Sequence, residues 1–259
     1  MNWNKRGKKA QLTIFIIIAI VIVGVLLIVF LPRIRTFLVP SPPEVEIKNC
    51  LQQEVPTILN ISMSRGGSLD PEFFYGYNGE KVEYLCYTSK WYDKCTMQKP
   101  LLKQAIEAEV EFNINQEVKA CLQNAQDNLE SRGYEVEIVG DINVNLDIVP
   151  DNVLVSLDNE IIITKGETGE KTIIQNANFR SEAYKLIMIA SSILNWEARY
   201  GDSAPETYMG FYPDVKVEKK KQSEGTTIYI ITHRETGEVL RFASRSVAWP
   251  PGYALPDAV

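Results

Sequence analysis

The chain's longest regular apolar repeat is PLLKQAIEAEVEFNINQEVKACLQNAQDNLES, residues 100–131. Apolar residues recur there every three or four positions, which is the repeat of one face of an α-helix. They form one stripe: Leu102, Ile106, Val110, Ile114, Val118, Cys121, Leu122, Ala125 and Leu129. Gly133 follows, and glycine is common just past the end of a helix. The pattern predicts a single helix of about 30 residues, roughly 45 Å long if unbroken.

A different apolar pattern lies near the N-terminus, in LTIFIIIAIVIVGVLLIVFL, residues 12–31, where only Thr13 is clearly polar. Twenty helical residues span about 30 Å, the thickness of the hydrocarbon core of a bilayer. A cleaved secretory signal has a shorter apolar region that ends at a small-residue cleavage site, and Leu31-Pro32-Arg33 is not such a site. The sequence therefore predicts a transmembrane helix at residues 12–31 that attaches the protein to the cell membrane, after a basic N-terminus at residues 1–11.

Charge predicts the orientation of this helix and the nature of the exterior. Four basic residues precede the apolar segment and two follow it: Lys5, Arg6, Lys8 and Lys9, then Arg33 and Arg35. The larger basic cluster stays in the cytoplasm, so we expect a single-pass protein with residues 33–259 outside the cytoplasm. The six basic residues of positions 1–37 leave 21 basic and 33 acidic residues in the rest of the chain. Such an acidic exterior is a poor match for nucleic acid, which is bound by basic surfaces.

Residues 8–13, KKAQLT, resemble the class III signal of archaeal type IV pilin-like proteins. In that family a basic run and a small residue precede a glutamine that begins the apolar helix, and here Ala10 and Gln11 match this cleavage pair. Thr13 matches a small hydroxyl position, whereas Phe15 stands where the family usually has Glu. The resemblance implies cleavage between Ala10 and Gln11 and assembly as a processed pilin-like subunit.

Prolines argue against a pilin stem and for a retained anchor. Pro32 and the extended spacer at residues 32–43, with Pro40, Pro42 and Pro43, interrupt the continuous helix that a pilin stem needs. The layout of the whole chain also resembles a group of uncharacterised single-span exported archaeal proteins. Both have a basic start, a Gly-Gly pair after the first helix, a Cys late in the second helix and a strand meander. That group has no assigned activity, so this resemblance implies no site.

Four cysteines, all outside the apolar segment, indicate two disulfide bonds. An even count in an extracytoplasmic domain is typical of disulfides, and four cysteines allow three pairings. We expect Cys50–Cys121 to join two helices, because each of these cysteines lies on the apolar stripe of its helix. We expect Cys86–Cys95 to close a short loop beyond a hairpin. No C-x-x-C motif is present, and neither a metal nor a cofactor is expected.

The rest of the chain predicts an α+β fold. A helix from Glu44 to about Asn60 ends at Gly66-Gly67, and the helix of residues 100–131 follows the hairpin. Four strand patterns then form an antiparallel meander over residues 134–179, because the turns between them are short. A further helix covers residues 181–200, and a C-terminal three-strand meander completes residues 44–259. We read these residues as one extracytoplasmic domain, with a division near residues 200–213 as the alternative.

The hairpin segment, residues 73–92, holds 8 of the 25 aromatic residues of the chain. Asn78-Gly79 between two aromatic-rich runs is a strong signal for a two-residue hairpin turn. A small hairpin cannot bury eight rings, so we expect Tyr75, Tyr77, Trp91 and Tyr92 to form an exposed face for a cell-surface protein or glycan. The alternative is that all eight rings pack in the core. Trp249, in AWPPGY, is expected to pack on the sheet.

The sequence lacks the common catalytic motifs, which favours a non-catalytic protein. The sequence has no G-x-S-x-G, H-E-x-x-H or phosphate-binding glycine loop, and its one histidine, His233, is expected in a solvated turn. An extracytoplasmic hydrolase that uses a pair of carboxylates stays open, because many Asp and Glu residues could meet in space. Asn60-Ile61-Ser62 is a candidate glycosylation sequon. The sequence thus predicts a membrane-anchored structural or recognition module at the cell surface, with a pilin-like subunit and a hydrolase as alternatives.

Overall fold

The computed structural model describes residues 18–23, 42–165 and 172–250. Residues from Pro43 onward form one unit with an α+β fold. Its described helices are α1 (Pro43–Ser64), α2 (Leu102–Ser131), α3 (Ala183–Tyr200) and α4 (Pro205–Phe211). Its described strands are β1 (Phe74–Tyr77), β2 (Glu80–Tyr87), β3 (Thr96–Met97), β4 (Tyr134–Ile138), β5 (Val144–Val149), β6 (Asn152–Lys165), β7 (Thr172–Arg180), β8 (Val215–Lys221), β9 (Thr227–His233) and β10 (Val239–Arg245).

The structure contradicts the expectation of a transmembrane helix at residues 12–31. Across the three described ranges, no helix combines the length and the apolarity that crossing a membrane requires. Within residues 12–31 the structure describes helix only at residues 18–23, about 9 Å at the helical rise. The remainder of that segment, the basic N-terminus with Ala10 and Gln11, and residues 32–41 of the spacer lie outside the described residues.

Helices α1 and α2 pack side by side and are joined by the predicted Cys50–Cys121 disulfide, with the two Cα atoms 5.6 Å apart. The predicted stripe of α2 is buried along the whole helix, from Leu102 to Leu129. The first helix ends as expected at Gly66 and Gly67, both with positive φ. A Cβ at Gly66 would lie 2.7 Å from the Cβ of Glu83, so the helix end also needs a residue without a side chain.

The strands form two sheets. The one that begins later in the chain, which we call the second sheet, consists of β4, β5, β6 and β7, and all its strand pairs are antiparallel. The 14-residue strand β6 pairs with β7 on one edge. On the other edge β5 pairs with its first half and β4 with its second half. The consecutive strands β4 and β5 are therefore not hydrogen-bonded neighbours, although the short turn between them predicted that they would be.

Side chains of α2 satisfy the free edge of β5. The backbone N–H groups of Ile148, Leu146 and Val144 point away from β6. They donate to side-chain oxygens of Glu107 (2.7 Å), Glu111 (2.7 Å) and Asn115 (3.0 Å), respectively. These acceptors are four residues apart on one face of the helix. A row of acceptors thus replaces the neighbouring strand that an open sheet edge would otherwise invite.

The first sheet has the order β1-β2-β10-β9-β8, and β3 pairs with β2. The hairpin turns at Asn78-Gly79 as predicted, with φ values of 52° and 82°. The C-terminal strands form the predicted antiparallel meander. Strand β10 also pairs in parallel with β2, which brings the hairpin and the meander into one sheet. The inner side of this sheet packs into the main core with α1, α2 and α3.

We expect the two disulfides to stabilise the protein unequally. In the loop-entropy model, bridges across separations of 71 and 9 residues contribute about 4 and about 3 kcal/mol, respectively. Urea unfolding should therefore show a larger loss for the Cys50→Ala/Cys121→Ala double variant than for Cys86→Ala/Cys95→Ala. Equal losses, or a larger loss for the short loop, would contradict the loop-entropy explanation.

The acceptor row of α2 predicts a position-specific effect. Glu111→Ala should lower the free energy of unfolding by about 1–3 kcal/mol, because the Leu146 N–H loses its partner. Glu111→Gln keeps a carbonyl acceptor and should cost much less. The matched control is Glu117→Ala on the exposed side of the same helix, expected within about 0.5 kcal/mol of wild type. Similar urea midpoints for Glu111→Ala and Glu117→Ala would rule out this role for the row.

Candidate functional site

At β1 and β2, the outer side of the first sheet carries rings instead of the usual polar residues. Alternation along the chain places Phe73, Tyr75 and Tyr77 on this side together with Tyr84 of β2. An irregularity in the pairing of β2 with β10 just after Tyr84 shifts the alternation, so that Tyr87 contacts the same rings. We call these five rings the aromatic face. Small aliphatic side chains fill the space between them: Val82, Ile228, Ile230 and Ala243. This second apolar cluster contains no residue of a described helix, so no described helix covers the aromatic face.

The rings of the aromatic face pack on one another. Tyr84 lies 4.9 Å from Phe73, 5.0 Å from Tyr87 and 6.5 Å from Tyr75, measured between ring centroids. The Arg241 guanidinium lies 6.0 Å from the ring of Tyr77. Tyr84 is buried, Tyr75, Tyr77 and Tyr87 are half-buried, and Phe73 is 45% exposed. The tilted and edge-to-face contacts fix ring positions, because aromatic pairs prefer these geometries.

Arg245 links the aromatic face to Trp91 in the loop closed by the Cys86–Cys95 disulfide. Its guanidinium lies 4.5 Å from the ring centroid of Trp91 and 6.0 Å from that of Tyr87. The same group donates to the carbonyl oxygens of Thr88 (2.5 Å) and Lys90 (3.5 Å). Arg245 is only 8% exposed, whereas Trp91 is 39% exposed. A buried cation thus holds the loop backbone and one side of an exposed indole.

Tyr92 and Trp249 extend the exposed aromatic surface. Their ring centroids are 5.0 Å apart in an edge-to-face contact, and both rings are about half exposed. The backbones are paired as well, since the Tyr92 N–H donates to the Ala248 oxygen (2.9 Å) and the Val247 N–H donates to the Asp93 oxygen (2.8 Å). Trp249 therefore contacts the disulfide loop, whereas the sequence predicted that it packs on the sheet.

Polar groups lie beside the rings, and one of them lacks a described partner. The Oε1 atom of Glu224 has no hydrogen-bond partner among the described residues. Its charge and, above all, burial raise the pKa of Tyr75 and Tyr84, so both phenols are protonated at neutral pH. The Tyr84 hydroxyl bonds to Thr226 (2.8 Å), and the Tyr75 hydroxyl contacts Gln222 (3.5 Å). The site therefore combines rings with a half-buried carboxylate whose buried Oε1 atom has no described partner.

A buried carboxylate lies on the inner side of the same sheet. Glu197, 2% exposed, accepts hydrogen bonds from the Tyr229 hydroxyl and from the Ser244 hydroxyl (3.1 Å). Burial raises the pKa of Glu197, and the hydrogen bond from Tyr229 opposes that shift. Ser246 donates to the Glu197 backbone oxygen (2.9 Å) and accepts from the Cys95 N–H (3.2 Å). The end of α3 is thus tied to the disulfide loop from beneath.

His233 is not the solvated turn residue that the sequence predicted. It ends β9, is 3% exposed and accepts at Nδ1 from the Thr236 N–H (3.3 Å). With Nδ1 as an acceptor, a ring proton lies on Nε2, which is 3.3 Å from Asp214. Asp214 also pairs with Lys185 (2.7 Å), and the hydrogen bond from Lys185 lowers the Asp214 pKa. The histidine is a structural member of a polar network at this end of the sheet.

Two cavities bear on the hydrolase alternative. One of about 350 Å³ lies beside α3 and α4 and has Asp151 as its carboxylate. A groove of about 510 Å³ on the outer side of the second sheet has Asp147 as its carboxylate. Neither supplies the pair that carboxylate-dependent hydrolysis needs. Within the residues that the structure covers, no three His, Cys, Asp or Glu side chains are placed to hold a metal ion.

The structure brings some of the predicted site residues together and separates others. Tyr75 and Trp91 belong to one series of contacts through Tyr84, Tyr87 and Arg245. Tyr77 lies at the far end of the face beside Arg241, and Tyr92 contacts Trp249 instead. In the sequon, Asn60 is exposed on α1, whereas Ser62 is fully buried, which disfavours modification of the folded chain.

Sequence reasoning missed Arg245 and Glu224. Strand β10 alternates inner Leu240, Phe242 and Ser244 with outer Arg241, Ala243 and Arg245, so its pattern could have placed Arg245 on the outer side. Nothing in the sequence indicates that Arg245 meets Trp91, because the two residues are far apart in the chain. Glu224 lies in a hydrophilic turn that has no recognisable motif.

Comparisons with known proteins leave the site to be interpreted from its own geometry. No family model matches the chain, and neither a curated protein nor a solved structure matches it.

The raised pKa of Glu197 predicts that the stability of the fold depends on pH. A carboxyl group whose folded pKa is raised favours folding in its protonated form, so its contribution falls as the pH rises from its usual pKa near 4.5 through the folded value. Glu197→Gln should remove this fall, and its melting temperature relative to wild type should therefore increase from pH 4 to pH 8. The exposed control Glu206→Gln should track wild type throughout. A constant difference between Glu197→Gln and wild type would refute the buried-charge account.

Proposed function

We propose that the protein is a non-catalytic recognition module of an extracytoplasmic compartment and that it binds its ligand through the aromatic face and Trp91. The observation that carries this proposal is the uncovered ring cluster on the outer side of the first sheet. A contiguous apolar patch of a few hundred Å² on a domain surface is often a functional site, at about 300–600 Å² for the largest patch of a typical monomer. Tyr and Trp are suited to this because they offer a large contact area with few rotatable bonds.

The compartment is proposed from the disulfides. Both bridges are present, and disulfides persist in oxidising environments outside the cytoplasm. One of them closes the Trp91 loop, so an oxidising compartment would also keep that loop closed.

A non-catalytic role is supported by how the titratable groups are used. Lys185, Asp214 and His233 are paired with one another. Glu197 lies beneath the sheet with its acceptors occupied. In these two networks the charged groups hold strands and helices together, whereas catalysis requires a reactive group that a substrate can reach.

The proposal predicts a separable binding defect for Trp91→Ala. Full-length protein should sediment with cell envelopes isolated from the producing organism, and Trp91→Ala should lower the bound amount roughly tenfold, the effect of losing a central aromatic anchor. Its melting temperature should stay close to that of wild type, because the indole is 39% exposed on a loop.

The matched control is Phe112→Ala, which removes a ring that is 82% exposed on α2, away from the aromatic face. It should bind like wild type. Wild-type binding by Trp91→Ala, or an equal loss for Phe112→Ala, would refute the assignment of the site.

A further inference from the structure

We infer that the ligand of this surface is a neutral glycan, held by stacking on Trp91 and by hydrogen bonds to Glu224 and the tyrosine hydroxyls. The inference rests on the proposed function, since it names the ligand class for the same surface. Three features of the surface carry it: its area, its unpaired polar groups and its charge balance.

The exposed aromatic area is small. Phe73, Trp91, Tyr92 and Trp249 are 39–53% exposed. With about 150–250 Å² for a whole aromatic side chain, these four rings offer roughly 275–460 Å². A standard protein interface buries about 800 Å² on each partner, about twice that area. A few sugar rings fit this footprint, whereas a folded protein would need much more surface than the rings supply.

Polar groups next to the rings suit a ligand with many hydroxyls. Sugar C–H groups pack on the electron-rich face of an aromatic ring, and the hydroxyls around them must find hydrogen bonds, because an unpaired buried hydroxyl is costly. Arg245 occupies one side of the Trp91 indole, which remains 39% exposed. The Glu224 side chain is half-buried, and its buried Oε1 atom has no described partner, so a ligand would reach this carboxylate only from its open side. The half-buried Tyr77 and Tyr87 add hydroxyls that make no hydrogen bond within the described part of the chain.

Cations near the rings have partners and Glu224 adds a negative charge, which favours a neutral ligand over an anionic one. Arg241 pairs with Glu80 at 2.5 Å, Lys81 with Asp70 at 2.5 Å and Lys90 with Asp93 at 3.8 Å. Arg245 is buried and donates to the backbone oxygens of Thr88, Lys90 and Glu224. A sulfated, phosphorylated or uronic acid polymer would need cations that are free to bind it. Beside the rings, Arg241, Lys81 and Arg245 are engaged, whereas Lys90, with a side chain that is 78% exposed, is paired more loosely.

The test uses the full-length protein and two preparations of the same cell envelopes. One is an exhaustive protease digest, and the other is that digest after periodate oxidation of vicinal diols followed by borohydride reduction. Each is added as a competitor to protein bound to intact envelopes. The unoxidised digest should compete about as well as intact envelopes, and oxidation should weaken competition at least tenfold. Glu224→Gln should weaken binding three- to tenfold with an unchanged melting temperature, as should Tyr87→Phe.

Outcomes separate the ligand class from the proposed function. A digest that no longer competes identifies a protein ligand, and an oxidised digest that competes fully excludes a diol-bearing glycan. Either result overturns the glycan inference while Trp91-dependent binding to intact envelopes still stands. Wild-type affinity for both Glu224→Gln and Tyr87→Phe would also overturn it, because the hydrogen-bonding groups would then play no part. Loss of Trp91 dependence, in contrast, refutes the proposed function itself.

Discussion

The four-residue repeat along α2 is the constraint on which the rest of the structure depends. One row of this repeat is apolar and buried, and the row beside it presents Glu107, Glu111 and Asn115 to the edge of β5. Four helical residues rise about 6.0 Å, and two strand residues advance about 6.8 Å. Because the mismatch is less than about 1 Å per step, helix and strand stay in register over three successive hydrogen bonds. The helix therefore covers the second sheet and also completes its edge.

The consequences extend to the first sheet. Helix α1 is fixed on α2 by packing and by the Cys50–Cys121 disulfide, and α1 and α3 then cover the inner side of the first sheet. The outer side is left without a described helix. The uncovered aromatic face is thus a result of where the long helix places its neighbours, and not of the hairpin sequence alone.

Local sequence patterns predicted the helices, strands and turns better than they predicted which strands pair with one another. The stripe of α2, the Asn78-Gly79 turn and the cysteines on apolar stripes each depend on neighbouring residues, so they could be read directly. Pairing of β2 with β10 joins segments about 160 residues apart, and a strand edge carries no side-chain signature of its neighbour. Likewise, only the length of β6 hinted that β4 and β5 could share one of its edges. The apolar repeat at residues 12–31 predicted a membrane helix that the described residues do not contain.

The site shows the same division between composition and geometry. Aromatic density pointed to residues 73–92, but burial of Arg245 depends on carbonyl oxygens from two separate loops. Those contacts hold the Trp91 loop from above, while Ser246 and the backbone of Glu197 hold it from beneath. A loop restrained on both sides loses little conformational entropy when it binds, so more of the contact energy of its rings appears as affinity. The buried Glu197 carboxylate lowers stability at neutral pH, and it lies where it helps fix the strands under that loop. The fold thus combines a costly internal charge with a restrained aromatic surface, and the proposed recognition role would need little rearrangement of that surface.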